Sequence, residues 1–251
     1  MTPISVVIIC KNEAAVIGTT LQSLQGLTDD IVVYDNGSTD ATEEIARSAA
    51  INFHRGTWEG FGKTKNKANA LAKYDWILSL DADESIDEQL KQSLLGFNPA
   101  KEKTVYDLRF KNFLGSKCIR YGEWGNDWHV RLFNRKQVSW NNEAVHETLL
   151  IPADAKEERL SGAVLHQTMR DIHEYGNKMV HYAMLSAEKY YQQGKRSSWF
   201  KTRLSPGFNF LNYYILKLGF LDGYEGYVCA KMTAYYTFLK YARLRELGVK
   251  Q

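Results

Sequence analysis

Three short apolar runs, ISVVIIC (Ile4–Cys10), IVVY (Ile31–Tyr34) and DWILSL (Asp75–Leu80), are separated by stretches of helical period, and each stops at a cluster of polar residues. Runs this short, rich in Val and Ile and bounded by turn formers, predict buried strands. Between them, Glu13–Leu24 carries Val16, Ile17, Leu21 and Leu24 at helical spacing, and Ser38, Thr39 or Asp40 is placed to cap a helix running through Ser48. Ile51–Phe53 predicts a further short strand and Lys63–Lys73 a further helix. Strand, helix, strand in repetition means βαβ units and a mainly parallel sheet, so the chain reads as α/β. It has no GxGxxG, the dinucleotide-binding fingerprint. Beyond a predicted helix at Asp87–Leu95 the pattern loosens. Thr104–Phe113, His129–Phe133 and Ala144–Ile151 predict strands of a mixed region, followed by a long helix over Asp171–Gln193.

Open parallel sheets bind ligands beyond the carboxyl ends of their strands. Here those ends carry Lys11-Asn12-Glu13, Asp35-Asn36-Gly37-Ser38 and Asp81-Ala82-Asp83-Glu84. Any one of them is explained by turn chemistry, because Asp and Asn side chains cap nearby amides. Three in one sheet, with a glycine-rich basic loop from Arg55 to Lys63 between the second and third, point to a ligand site. Asp81 and Asp83, two residues apart just past a strand, form either a solvated loop or a cation site. Glu84 reads as their exposed neighbour.

The 251 residues suffice for a full core, and 24% charged with 44% apolar residues is ordinary for a globular protein. Cys10, Cys118 and Cys229 are odd in number and far apart, without CxxC spacing, which fits a reducing cytosol rather than a disulfide framework. The N-terminus lacks the charged region and cleavage site of a signal peptide, and no apolar run is long enough to span a bilayer. The net charge of +3 is uneven. From Lys195 onward ten Lys/Arg face three acids, +7, which leaves −4 for the rest. A basic end on a mildly acidic body implies a polyanionic partner: anionic lipid, a phosphorylated acceptor or nucleic acid.

SVVIICKNEA, VVYDNGSTDAT, WEGFGKTKN, LDADE and NNEAVHE, in that order, resemble the motifs of family-2 inverting glycosyltransferases of the GT-A fold, closest to the bacterial lipopolysaccharide-core type. The resemblance covers residues 4–150, with a looser echo at Phe220–Gly226. It implies a GT-A catalytic domain over residues 1–193, its nucleotide-sugar half reaching to about 100 and its acceptor half following, with a helical, aromatic-rich extension over 194–251. It implies a nucleotide-sugar donor, uridine-linked and with glucose a candidate sugar. Lys11, Asn12 and Glu13 would border the nucleoside, Asp35 would accept from base or ribose, and Lys65 would offset diphosphate charge. Asp81 and Asp83 would be the family's DxD, holding Mg²⁺ or Mn²⁺ against the leaving group, with Asp83 the direct ligand and Asp81 toward ribose or a metal-bound water. Glu147 stands where the family carries its catalytic base. Glu143, His146 and Asp127 remain alternatives, because VHE replaces the usual acidic pair. Trp124 and Trp128 are candidates for stacking on sugar, or for core packing, and Arg131 for pairing with a carboxylate or with acceptor phosphate.

The last section mixes seven tyrosines from Tyr213 to Tyr241 with Lys217, Lys231, Lys240, Arg243 and Arg245, which suits helices lying on an anionic surface or packing on a second subunit. With the resemblance, this implies peripheral attachment at the cytoplasmic face of the inner membrane and a lipid-linked glycan acceptor. A polyprenyl-phosphate or other surface-polysaccharide transferase of the same fold is the near alternative. A DxD phosphotransferase and a non-catalytic nucleic-acid or glycan-binding module are the distant ones. The phosphotransferase would want its DxD after the first strand, and nucleic acid is not expected as a partner.

Overall fold

In the computed structural model, residues 3–49, 51–98, 103–141 and 147–249 are described. The N-terminal half follows the βαβ rhythm: β1 (Ile4–Cys10), α1 (Ile17–Ser23), β2 (Ile31–Asp35), α2 (Thr42–Ser48), β3 (Asn52–Arg55), α3 (Phe61–Ala70) and β4 (Trp76–Asp81). Then come β5 (Glu84–Ile86), α4 (Glu88–Leu95), β6 (Thr104–Leu114), β7 (Lys117–Ile119), β8 (Asp127–Asn134), β9 (Ser139–Trp140), β10 (Leu149–Leu150) and β11 (Lys156–Met169). The main sheet runs β3-β2-β1-β4-β8-β6-β11-β5, with β7 on β6, and β9 and β10 form a separate hairpin. β3, β2, β1 and β4 are mutually parallel, and β8 returns antiparallel against β4. This is the GT-A arrangement that the motifs imply, a mixed sheet whose parallel part carries them.

β1 is buried at all seven positions because both faces of the sheet are covered, and that is why its sequence is apolar without alternation. Val6 and Ile8 pack with Ile17, Leu21 and Leu24 of the α1 region and with Leu90 and Leu94 of α4. Val7 and Ile9 pack on the other face, with Ala68 of α3 and Ala72 just after it. The register makes the functional ends level: Cys10 lies opposite Asp35, Ile9 opposite Asp81, and Asp35 opposite Arg55. Three polar clusters, far apart in sequence, therefore emerge along one edge.

Several elements depart from the sequence expectation. β5, β7 and the 14-residue β11 carry no strand run that stands out, since β11 reads KEERLSGAVLHQTM and is half exposed along most of its length. Its Gly162 (φ +97°) crosses so close to α4 that an added Cβ would lie 2.0 Å from the Leu90 amide nitrogen. Asp87 caps α4 at that crossing, its Oδ1 accepting from Leu90 N (2.9 Å) and Ala163 N (3.0 Å). Of the strand expected over Ala144–Ile151, residues 144–146 lie outside the described residues, and Leu149–Leu150 pairs with β9.

The chain divides into two compact units: residues up to Phe110 with Asp127–His166, and Lys111–Asn126 with the chain from Gln167 onward. In the second, α5 (Ile172–Gln192), α6 (Trp199–Leu211), a π-helical stretch (Asn212–Leu216), a 3₁₀ turn (Gly219–Asp222) and α7 (Gly223–Val249) pack around Ile119, Met169, Tyr175 and Cys229. Buried Asp222 fastens the β7 end there, its Oδ2 accepting from Arg120 N (2.9 Å) and Tyr121 N (2.8 Å). No described helix is long and apolar enough to cross a membrane.

Candidate active site

The loops after β1 and β2 are latched to each other. Asn12, in the left-handed region (φ 58°), donates its amide to Ser38 Oγ (2.8 Å), and its Oδ1 accepts from Thr39 N (2.8 Å). Glu13 N donates to Thr42 Oγ1 (2.8 Å) and Ala14 N to Asp40 Oδ2 (3.1 Å). KNEA and DNGSTDAT are thus halves of one scaffold. Asp35 is buried and accepts from Gly37 N (3.1 Å), Ser38 N (3.0 Å) and the Ser38 hydroxyl of its own turn, and from the Cys10 thiol of β1 (3.7 Å).

A cavity of 360 Å³ opens beside this scaffold, lined by Lys11, Glu13, Asn36, Trp58, Phe61, Asp81 and Asp83 among others. Asn36 is among its lining residues, whereas Asp35 and Asn12 of the same two loops are not. Asn36 Nδ2 donates to Cys10 O (3.2 Å), which leaves the buried Oδ1 aimed without a partner among the described residues. Trp58 and Phe61, which also line the cavity, meet edge to face with centroids 4.6 Å apart.

Beyond β4 the acids enter a charge network. Asp81 Oδ1 lies 3.1 Å from Lys65 Nζ, and its Oδ2 3.3 Å from Arg131 Nη2. Arg131 also reaches Glu84 Oε1 at 2.6 Å, while Glu84 Oε2 accepts from Asp81 N at 2.9 Å. Glu84 is only 1% exposed, so the expectation of an exposed neighbour is corrected: β5 turns inward and Arg131 supplies the counter-charge that makes its burial tolerable. Burial pushes the Glu84 carboxyl up against the opposing field of Arg131. Burial acts the same way on Asp81, but there the Lys65 and Arg131 charges win and hold it well below the usual carboxylate range. Asp83 has a different partner, its Oδ2 lying 3.5 Å from His166 Nε2. β11 brings His166 opposite Glu84 in antiparallel register. Burial works against the imidazolium, but the hydrogen bond and charge of Asp83, with Glu84 and Asp81 behind it, raise the His166 pKa.

Lys65 is 3% exposed, its ammonium over the Trp140 ring (4.6 Å), and it contacts Glu147 Oε1 at 3.1 Å as well as Asp81. Its neighbour explains how. Asn66 donates Nδ2 to Trp140 O (2.8 Å) and accepts from Trp140 N (2.9 Å), a two-point clamp of α3 onto the β9–β10 hairpin. Glu147 lines a second cavity, of 370 Å³, with His129, Arg131, Trp140 and Leu149. Of the alternative bases, Asp127 pairs with His129 Nε2 at 2.8 Å, and Glu143 and His146 lie outside the described residues. Trp128 sits under the Arg159 guanidinium (4.2 Å), and Trp124 packs on Tyr175 in the second unit.

The structure thus gathers Lys11, Glu13, Asp81 and Asp83 at one cavity, and joins Asp81 to Glu147 through Lys65. Asn36, His166 and the buried pairing of Glu84 escaped sequence reasoning. Asn36 sits inside a motif that invited attention to its neighbour Asp35. His166 lies on a strand with no apolar run to announce it.

The glycosyl transferase family 2 model matches residues 5–149, the stretch that supplies the lining of the first cavity and all of the second but Ile151. The chain belongs to that family. An uncharacterized glycosyltransferase of Rickettsia typhi is 28% identical, over 100% of this chain and 89% of that protein. The lipopolysaccharide core biosynthesis glycosyltransferase LpsC of Rhizobium meliloti is also 28% identical, over 97% and 92%. Among solved structures, residues 1–349 of S. aureus TarS align at 14% identity over 99% of this chain and 92% of that one, with a TM-score of 0.48. Family-2 membership makes the chain a glycosyltransferase, in place of the phosphotransferase or binding-module alternatives.

Proposed function

We propose that this family-2 enzyme is an inverting transferase that moves a sugar from a uridine-linked nucleotide sugar to a lipid-linked glycan of the lipopolysaccharide-core kind. Catalysis is assigned to residues within 1–193, and peripheral attachment to the cytoplasmic face of the inner membrane to 194–251. One observation carries the reading: a single buried ammonium, Lys65, touches both the donor-side acid Asp81 and the acceptor-side acid Glu147, each at 3.1 Å. The two cavities that these acids line are where donor and acceptor would meet. The similarity to LpsC supports the acceptor class.

The nucleoside would occupy the 360 Å³ cavity, where Asn36 Oδ1 is an acceptor awaiting an N–H or O–H donor. Lys11 and Glu13 would border the nucleoside in the same cavity, and Lys65, beside Asp81, would offset diphosphate charge. Among the described residues no cluster of three or more His, Cys, Asp or Glu is arranged to hold a metal by itself. Asp83 and Asp81 nonetheless suit an oxygen-seeking Mg²⁺ or Mn²⁺ that draws its remaining ligands from phosphate and water. When bound, such an ion offsets the charge developing on the departing diphosphate. The chain's own groups do the rest. His166 orients Asp83. Lys65 fixes Glu147, which takes the proton of the acceptor hydroxyl as its oxygen bonds to the anomeric carbon and the bond to the diphosphate breaks on the opposite face.

The deciding experiment is a thermal-shift screen of nucleotide sugars with Mg²⁺ or Mn²⁺, followed by transfer assays, since a ligand that binds only the folded state raises its stability. Asp83→Ala is expected to lose metal-dependent donor binding and transfer, and Glu147→Gln to keep binding while losing turnover. Wild-type transfer by Asp83→Ala would remove the metal role, and turnover by Glu147→Gln would move the base elsewhere.

A further inference from the structure

The second compact unit carries a helix face that no described residue covers. α6 packs one side onto α7: Asn209 Nδ2 donates to Thr237 Oγ1 (2.7 Å), and Phe210 meets Tyr227 edge to face at 5.9 Å. The other side presents Phe200, Leu204, Phe208 and Leu211, exposed by 65%, 64%, 67% and 56%. At about 100° per residue these four fall within roughly 80° of the helix circumference. Lys201 and Arg203, both exposed, flank the stripe on either side. Isolated apolar residues on a surface need no explanation, but four large ones in one stripe do.

Charge selects the occupant. Residues 195–221 contain five Lys/Arg and no acid. A second copy docking through this stripe would bring two such basic rims together, which is unfavourable. A bilayer containing anionic lipid accepts the apolar ridge below its headgroups and the basic rim among them. Trp199, 49% exposed with Arg203 stacked on its ring at 4.7 Å, stands at the start of the helix as an amphipathic anchor suited to that boundary. We propose that this face of α6 is the docking surface for an anionic lipid bilayer, with the helix lying in the interface plane. The proposal names the membrane partner of the function given above and rests on that reading for its biological purpose.

The test is flotation of the full-length protein with vesicles of phosphatidylcholine alone and of phosphatidylcholine mixed with phosphatidylglycerol, at low and high salt. Binding is expected only with phosphatidylglycerol and weaker at high salt. It should fall about 10-fold or more in Leu204→Ser/Phe208→Ser and roughly 5-fold for each of Lys201→Ala and Arg203→Ala. These side chains are exposed, so the variants should melt with the wild type. Brominated lipid should quench tryptophan fluorescence in the wild type, and much less in Trp199→Phe, which still binds. The proposal is overturned by absence of vesicle binding, by equal binding to both vesicles, by binding that the α6 variants leave unchanged, or by a dimer that Leu204→Ser/Phe208→Ser dissociates. Failure here and failure of the functional reading separate cleanly. Sugar transfer to a lipid-linked glycan in detergent without vesicle binding sinks only the docking face. Vesicle binding without any nucleotide-sugar turnover sinks only the function.

Discussion

Arg131 shows how much one partly buried side chain can govern. Its guanidinium is the counter-charge for Glu84 and shares Asp81 with Lys65. Replacing it by Met removes the ion-pair partner of buried Glu84, which should cost roughly 3–5 kcal/mol of stability by urea denaturation. Arg131→Met/Glu84→Gln should recover part of that loss, because the stranded charge is gone. A single variant as stable as the wild type would mean that water reaches Glu84 after all. Asn36 gives a second test at this scale. Its free Oδ1 implies that Asn36→Ala weakens nucleotide binding by about 0.5–1.5 kcal/mol, the net contribution of one hydrogen bond, read by calorimetry. Unchanged affinity would mean that the nucleotide leaves this acceptor alone.

At the scale of elements, the clamp between α3 and the β9–β10 hairpin converts sequence neighbours into site geometry. Asn66 holds Trp140 by two hydrogen bonds, and Lys65, one residue earlier, is thereby delivered to Glu147. Asn66→Ala should lower stability by about 1–3 kcal/mol, since the Trp140 backbone groups lose their partners. It should depress turnover more than donor binding, and equal losses in both would argue that the clamp serves the fold alone. Gly162 tests the second junction. With φ at +97° and the Leu90 nitrogen 2.0 Å from any added Cβ, Gly162→Ala must shift backbone and should cost about 2–4 kcal/mol by thermal or urea unfolding. A cost within experimental error would show that β11 slides away from α4 easily.

Across the molecule, the proposed donor site involves the ends of β1, β2 and β4, while α5 to α7 belong to the other compact unit. Hydrogen exchange with a nucleotide sugar bound should therefore slow amides over residues 10–14, 35–38 and 81–84, and leave those of α5 to α7 unchanged. Uniform protection of both units would contradict a donor confined to the first.

The amino-acid sequence determined the α/β class, the strands β1, β2 and β4, the ordered motifs and the family, because each is written in local periodicity or in a contiguous run of residues. Tertiary structure decided what the acids do. Asp35 accepts from its own turn, and Glu84 looked exposed but is buried on Arg131, 47 residues away. Lys65, Asp81 and Glu147 share one contact, and Asp83 meets His166, only because register and a side-chain clamp bring distant segments together. Whether a carboxylate lies free, paired or buried depends on the charges and solvent within a few ångströms of it. Those neighbours are set by how strands pair and helices dock, which residue spacing along the chain does not encode.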